Sequence, residues 1–325
     1  ELTVFMSGAL VMVLEMVGAL VLAPHVGTSA VVWTSLIGVV LACLAVGAWA
    51  GGRLADKTLS RRGLALALAG AGLGSGLTAL CHEVIGQWVT AAVGNLYAAA
   101  VLAAVCIFAL PAFFFGMVTP YALRLRIESV DSSGATVGRL YALSTAGSIV
   151  GTFLGGFILI SFWGSTSILW GVAAAMLGLS LCNGGGRVRL RAVLLAVCGL
   201  MAVVAASYGR WQDGRAMSHL VESPYNSIRI FEGVDRAQNG RPVRLMATDP
   251  GYSQSGMYLD APNELYFRYT RFYALGPHFT PPASRVLMLG GGGYYVPKWL
   301  LAEDYLLAQP EAARVPVVDF DPALT

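Results

Sequence analysis

The first part of the fold is decided by residues 3–23, which read TVFMSGALVMVLEMVGALVLA. This stretch is long enough to cross a bilayer, because a spanning helix needs about 20 mostly apolar residues. The hydrocarbon holds no water to satisfy an open backbone, so such a stretch is expected to be helical. Six further stretches meet the same criterion, and the predicted spans are 3–23, 30–50, 63–80, 91–117, 140–162, 165–182 and 192–208.

The composition also indicates a membrane protein with a water-exposed part. Of the 325 residues, 56% are apolar and only 12% are charged, which is about half the charged share of an ordinary soluble domain. These totals exclude a disordered tail, a coiled coil and a single soluble domain. The net charge of +3, without a basic run interleaved with aromatics, also argues against a nucleic-acid partner. We therefore expect a transmembrane helical domain over 1–208, a connector over 209–220, and a water-exposed remainder.

The distribution of Lys and Arg predicts the orientation in the membrane. Within residues 1–208 they all fall in alternate predicted loops, and the intervening loops have none. The positive-inside rule places the basic loops in the cytoplasm. With seven spans, the chain after Tyr208 then emerges on the outer face. The basic residues are Arg53, Lys57, Arg61, Arg62, Arg124, Arg126, Arg139, Arg187, Arg189 and Arg191.

Glu15 is the one ionisable residue inside a predicted span. A carboxyl group at that depth is costly and marks a functional site by default. The alternative is a structural glutamate that holds the bundle together, which we favour because no span offers a basic partner. The small-residue face of Gly147, Gly151 and Gly155 is typical of close helix packing.

The water-exposed part begins with a pattern of strands. Residues 226–232 and 242–247 alternate as two strands joined by a turn with Asn239-Gly240, and residues 255–259 could add a third. These predict a small β domain over 221–262. Residues 263–275 predict a helix with an aromatic stripe, which more often belongs to a core than to a ligand platform. The stripe consists of Tyr266, Phe267, Tyr269, Phe272 and Tyr273.

A glycine run between two strand patterns gives the clearest chemical signal. The strand pattern 285–289 is followed by Gly290–Gly293, a helical run over 297–309, and a second strand over 314–318 that ends in Asp319. Glycines let the backbone approach a ligand, and a carboxylate at a strand tip can accept hydrogen bonds from ribose hydroxyls. The unit predicts a nucleoside-containing ligand, with a purely structural turn as the alternative. We predict no metal site.

At these residues the chain resembles the spermidine synthase family, in its membrane-fused bacterial branch. The resemblance covers most of the chain. In the membrane part it is carried by residues 5–8, 15–18, 22–24, 32–38, 51–56, 116–120 and 138–145. In the remainder it is carried by residues 222–226, Gln254, Asp260, Asn263-Glu264, Gly290–Gly293 and 318–321.

The resemblance implies an α/β methyltransferase-like, Rossmann-type domain beginning at residue 263. It implies binding of decarboxylated S-adenosylmethionine and transfer of its aminopropyl group to a polyamine acceptor such as putrescine. On this basis Gly290, Gly291, Gly292 and Gly293 pack on the nucleoside, Asp319 holds the ribose, and Gln254 lines the cofactor pocket. Tyr225, Asn226 and Glu264 fall on the substrate side. The branch also implies a bacterial-type plasma (inner) membrane.

The chain departs from the family pattern at several positions. Soluble synthases carry Asp where Gly293 stands, to hold the aminopropyl ammonium, and a Tyr-His pair where Phe267-Arg268 stand. Three functions therefore remain open, in this order: an aminopropyltransferase, a non-catalytic scaffold or accessory subunit of other membrane proteins, and a small-molecule transporter that uses Glu15. Because the chain begins at Glu1 and ends just after a strand-like run, we expect a segment of a longer protein whose nucleoside-binding domain is truncated.

Overall fold

The computed structural model of the chain contains two compact units, Glu1–Asp213 and Gly214–Thr325. The residues that the structure describes are 1–127, 133–183, 200, 203, 207, 218–222, 227–248, 253–275, 287–302 and 317–318.

The first unit is helical, and six of its described helices are long and apolar enough to cross a membrane. The fifth of these spans is continuous: a helix over Ser133–Phe153 passes through a π-helical turn at Leu154–Leu159 into a short helix over Ile160–Phe162. Of the predicted spans, 192–208 lies almost wholly outside the described residues. The helices are α1 (Leu2–Val26), α2 (Ala30–Lys57), α3 (Arg61–Ala92), α4 (Leu96–Arg126), α5 (Ser133–Phe153), α6 (Ile160–Phe162) and α7 (Ser165–Asn183).

The third helix is longer than the sequence predicts. The stretch 81–90 was expected to be a loop because it is polar, but it continues α3 to Ala92. One of its polar groups lies inside the bundle, where the His82 imidazole is 93% buried and its Nε2 lies 3.2 Å from the Thr166 hydroxyl of α7. The prediction of a loop there is wrong, since a polar side chain with a partner in another helix need not leave the span.

Small residues set the closest helix contacts. Helices α1 and α5 run in the same direction, and Gly147 and Gly151 lie directly on the backbone carbonyl groups of Phe5 and Ala9. Helices α2 and α4 make a similar contact, with Gly47 against the Phe113 carbonyl. This close approach gives the helices extensive dispersion contacts with each other. Faces of small residues have the same effect in other membrane bundles.

The basic residues gather at one end of the bundle. Arg124 near the end of α4 is paired with Asp56 of α2 at 3.0 Å, and Arg139 of α5 with Glu1 at 3.2 Å. The Tyr121 hydroxyl donates a hydrogen bond to the Thr58 carbonyl at 2.5 Å, which ties α4 to the α2–α3 connection. The connections at the opposite end, 27–29, 93–95 and 163–164, contain no Lys or Arg. The exposed Trp33, Trp88 and Trp163 lie at or near that end, as interfacial anchors do.

The second unit contains an antiparallel sheet of four strands, which lie side by side in the order of the sequence: β1 (Ser218–Glu222), β2 (Ser227–Asp235), β3 (Arg241–Ala247) and β4 (Ser255–Tyr258). Residues Arg236–Gln238 and the left-handed Asn239 and Gly240 form the β2–β3 turn. The small antiparallel sheet is thereby confirmed, and Ile228, Val243 and Tyr258 are buried on it.

The rest of the second unit is described in shorter pieces. A 3₁₀ helix occupies Arg268–Leu275, which covers only the second half of the helix predicted over 263–275. Strand β5 (Met288–Leu289) is followed by helix α8 (Tyr295–Ala302) and pairs in parallel with β6 (Val317–Val318). The Rossmann-type domain stays a prediction, because a parallel pair with one intervening helix is only a small part of such a fold.

Candidate functional site

A pocket of about 440 Å³ lies in the second unit. It is lined by the start of β4, by residues in and before the 3₁₀ helix, and by the turn between β5 and α8. The volume is within the usual range for small-molecule sites, roughly 300–1,000 Å³. Three segments that are distant in the sequence therefore meet at one concave surface.

The glycine run forms one edge of this pocket. Gly290 and Gly292 have φ values of +83° and +46°, so both occupy the left-handed region that side chains disfavour. Among the residues that the structure describes, and apart from the chain neighbours, no atom lies within 4 Å of the position that a Cβ would take at either residue. Gly290, Gly291 and Gly292 line the pocket, and the turn therefore presents bare backbone to the cavity.

Gln254 lies at the same pocket. Its backbone N–H donates to the Met246 carbonyl at 2.8 Å, which holds the residue beside β3. Its side-chain oxygen accepts a hydrogen bond of 3.2 Å from the Thr248 hydroxyl, which also lines the cavity. The structure thus brings together Gln254 and the glycine turn, four of the residues that the sequence analysis assigned to a cofactor.

Gly293 is placed differently from the three glycines before it. It is not among the residues that line the pocket. A Cβ at this position would lie 2.7 Å from the Ser255 hydroxyl oxygen and 3.1 Å from the Ser255 Cβ. A side chain here would displace Ser255, which gives a local steric reason for glycine at this position.

Aromatic side chains form another wall. Tyr266, Phe267, Tyr269 and Tyr273 line the pocket, and Tyr269 and Tyr273 are 58% and 49% exposed. Phe272, on the same 3₁₀ helix, is exposed as well but does not line the cavity. The interpretation of the stripe as core is therefore wrong for Tyr269, Phe272 and Tyr273, because a 3₁₀ helix on the surface exposes them. Tyr266 and Phe267 precede that helix and are half-buried.

Tyr295 is a pocket residue that the sequence analysis missed. It begins α8, lines the cavity, and has a buried hydroxyl without a hydrogen-bond partner in the described part of the chain. Burial raises the pKa of this hydroxyl well above its ordinary value, so it stays protonated and can donate a hydrogen bond. Its position two residues after the glycine run was the only signal in the sequence.

Glu264 is held away from the cavity by Arg241. The Arg241 guanidinium donates to Glu264 at 2.9 Å and to both carboxylate oxygens of Asp260 at 2.9 Å. It also lies 3.8 Å from the ring centroid of Tyr258. This pairing lowers the pKa of Asp260. Glu264 is not a lining residue, and the predicted substrate role requires a cation to compete with Arg241.

The remaining predicted site residues lie elsewhere. Tyr225, Asn226 and Asp319 fall outside the described residues. Glu15 belongs to the first unit, where it is partly buried in α1 and has no hydrogen bond or ion pair with the residues described there. Within the described ranges no three His, Cys, Asp or Glu residues come together as a metal site would require.

Comparison of the chain with protein-family models, with curated proteins and with solved structures found no match in any of the three. The functional argument therefore depends on the geometry of the pocket and on the sequence resemblance.

Proposed function

We propose that the protein is an integral membrane protein whose C-terminal unit binds an S-adenosylmethionine-type nucleoside. One observation carries this proposal: Gln254 and the glycine turn Gly290–Gly292, which are distant in the sequence, line the same pocket. A ligand with a sugar and a flat base needs exposed backbone on one side and hydrogen-bonding side chains on the other. The turn and the Thr248–Gln254 pair supply these two features.

The order of elements around the turn supports the same proposal. Strand β5 leads into the glycine turn, α8 follows, and β6 returns in parallel with Val318 opposite Leu289. Nucleotides commonly bind at such strand–turn–helix units, where glycines admit the ligand and a carboxylate follows the second strand. Asp319 follows β6 in the sequence, and we propose that it accepts hydrogen bonds from the ribose hydroxyls.

We further propose, from the resemblance to spermidine synthases, that the bound nucleoside is decarboxylated S-adenosylmethionine. A neutral amine of a polyamine such as putrescine would attack the methylene carbon next to the sulfonium. A carbon–nitrogen bond forms, the carbon–sulfur bond breaks, and its electron pair leaves with the sulfur as a neutral thioether nucleoside. The ammonium product then loses one proton. Such a reaction depends mainly on orientation and on an amine held in its neutral form.

A non-catalytic nucleoside-binding scaffold is the second candidate. Two observations favour it: Ser255 fills the space that a side chain at position 293 would need, and Arg241 occupies the carboxylate of Glu264. In an active synthase, a side chain at position 293 and the carboxylate of Glu264 would each hold a cationic group. We place this protein, in either function, in a bacterial plasma membrane with its C-terminal unit on the outer face. The gathering of Lys and Arg at one end of the bundle supports a fixed orientation.

Binding and transfer can be measured separately on the full chain in detergent. Calorimetry with decarboxylated S-adenosylmethionine should show binding, and Asp319→Ala should weaken it by about 1–3 kcal/mol through loss of a ribose acceptor. Glu232→Ala, on β2 and outside the pocket lining, is the control and should bind as the wild type does. Adding putrescine and measuring the thioether nucleoside then distinguishes the candidates. Binding without product supports the scaffold, whereas no binding at all rejects both.

A further inference from the structure

A row of aromatic rings runs along the second unit and ends at the pocket. Tyr258, Tyr266, Phe267 and Tyr269 contact one another in that order, with centroid distances of 5.4, 4.9 and 5.6 Å. The last two rings are near parallel, at 29°, whereas the earlier pairs meet edge to face. Arg241 closes the Tyr258 end. Within the described residues, the other end is Tyr269, which is exposed and lines the cavity.

The same cavity is lined by Tyr295, whose hydroxyl has no hydrogen-bond partner in the described ranges. Burying a hydroxyl group without a partner costs free energy, and native structures satisfy the large majority of such groups. The hydroxyl oxygen itself is enclosed by protein atoms, whereas other atoms of Tyr295 line the cavity, so a rotation of the side chain is what brings the hydroxyl to a ligand there. One pocket therefore offers an aromatic face that another ring could cover and a polar atom that lacks a partner.

We propose that this part of the pocket takes the purine base of the nucleoside, which extends the aromatic row at Tyr269 and hydrogen-bonds to the hydroxyl of Tyr295. The inference rests on the proposed nucleoside-binding function and names the part of the ligand that decides specificity. A purine has flat faces that stack on aromatic side chains and edge atoms that a phenol can contact. A ribose or an aliphatic polyamine has no flat face to continue the row.

The stacking half of the proposal is tested on the full chain in detergent, with 5′-methylthioadenosine as the calorimetric probe. Tyr269→Leu keeps an apolar side chain but removes the ring, and should weaken binding by about tenfold. Tyr269→Phe keeps the ring and should bind as the wild type does. Phe272→Leu is the matched control, because Phe272 lies on the same 3₁₀ helix and outside the pocket lining. Thermal unfolding of each variant verifies that it is folded.

The hydrogen-bonding half is tested with Tyr295→Phe, which removes one oxygen atom. Binding of adenosine should weaken by about tenfold, since a buried partner loses its bond. The measurement is repeated with the 1-, 3- and 7-deaza analogues of adenosine and with purine riboside, which lacks the amino group. The effect of Tyr295→Phe should disappear for the one analogue that lacks the atom bonded by the hydroxyl. An equal effect on all of them would show that Tyr295 acts only through packing, and would overturn the inference.

The two proposals fail in different ways. If the wild type binds neither adenosine nor 5′-methylthioadenosine, the nucleoside-binding function itself is wrong. If the wild type binds them and either Tyr269→Leu or Tyr295→Phe binds equally well, the base lies elsewhere in the pocket. In that case the proposed function stands and this inference falls.

Discussion

Replacing Gly151 by alanine should destabilise the membrane unit, because the contact between α1 and α5 has no room for a Cβ atom. A Cβ at Gly151 would lie 2.1 Å from the carbonyl oxygen of Ala9 and 2.6 Å from its Cα, whereas ordinary contact begins at 3.4 Å. Both obstacles are backbone atoms, so no side chain can rotate away. The two helices must therefore move apart by roughly 1.3 Å at this level, as overpacking forces a backbone to do.

The size of the effect follows from two opposing contributions. Overpacking of this kind costs about 1–3 kcal/mol. Alanine gains back up to about 1 kcal/mol over glycine in a helix interior. A net loss of about 1–2 kcal/mol lowers the melting temperature of a unit of roughly 200 residues by about 2–8 °C.

Two neighbouring glycines provide matched controls. Gly155 continues the same face, but a Cβ there would meet Val13 at an ordinary 3.6 Å, and a Cβ at Gly171 on α7 would meet no atom of the described residues within 4 Å beyond its own helix backbone. Gly155→Ala and Gly171→Ala should melt as the wild type does or slightly higher, when unfolding in detergent is followed by tryptophan fluorescence. If Gly151→Ala melts together with these controls, the close backbone contact between α1 and α5 is wrong.

Three further predictions concern other parts of the chain. Glu15→Gln should leave yield and melting temperature nearly unchanged, because the carboxyl has no ion pair with the residues described around it; a large loss of folded protein would show that its charge matters. Alkaline phosphatase fused after Arg215 should be active and green fluorescent protein at the same site dark, since the seven spans predicted from the sequence, six of which the structure describes, would leave the C-terminal unit outside; the reverse would mean that a span was miscounted. The C-terminal unit should lose stability on acidification through and below the ordinary Asp260 pKa of 3.8. Arg241 lowers that pKa, so the pair stabilises the fold above this range and is lost as the pH falls through the lowered value. Asp260→Asn should flatten this part of the pH profile of the melting temperature, and an unchanged slope would rule the pair out as its cause.

The membrane helices were predictable because length and hydropathy alone decide whether a stretch can span a bilayer. The six described spans all match predicted ones, and only their boundaries differ. The largest difference, the polar stretch 81–90, depends on a tertiary contact: His82 stays in the bundle because Thr166 of another helix is its partner. A hydropathy scale scores each residue without regard to its neighbours. It therefore gives a histidine that has a partner in another helix the same score as a histidine in a loop.

Strands β2, β3 and β4 of the second unit were predictable for the same local reason, since alternation and the Asn239-Gly240 turn specify an antiparallel hairpin. Strand β1 (Ser218–Glu222) was not predicted, because most of it falls in the stretch 209–220 that was interpreted as a connector. The pocket was only partly predictable. The glycine turn has a sequence signature, and the resemblance pointed to Gln254. Tyr269 and Tyr295 have no such signature, because their role depends on a short 3₁₀ helix that brings one to the cavity and on the start of α8 that brings the other.

Glycine has different roles in the two units, as the spacing of the glycines in the sequence predicts. In the first unit Gly147 has an ordinary helical backbone, and its missing Cβ lets the carbonyl of Phe5 approach. In the second unit Gly290 has open space around it, and the residue is needed because its φ is +83°. Gly147 acts through packing between helices, whereas Gly290 acts through the path of a single chain. An open backbone at a cavity wall is what a ligand can approach, which is why the glycines of the second unit, and not those of the bundle, carry the functional argument.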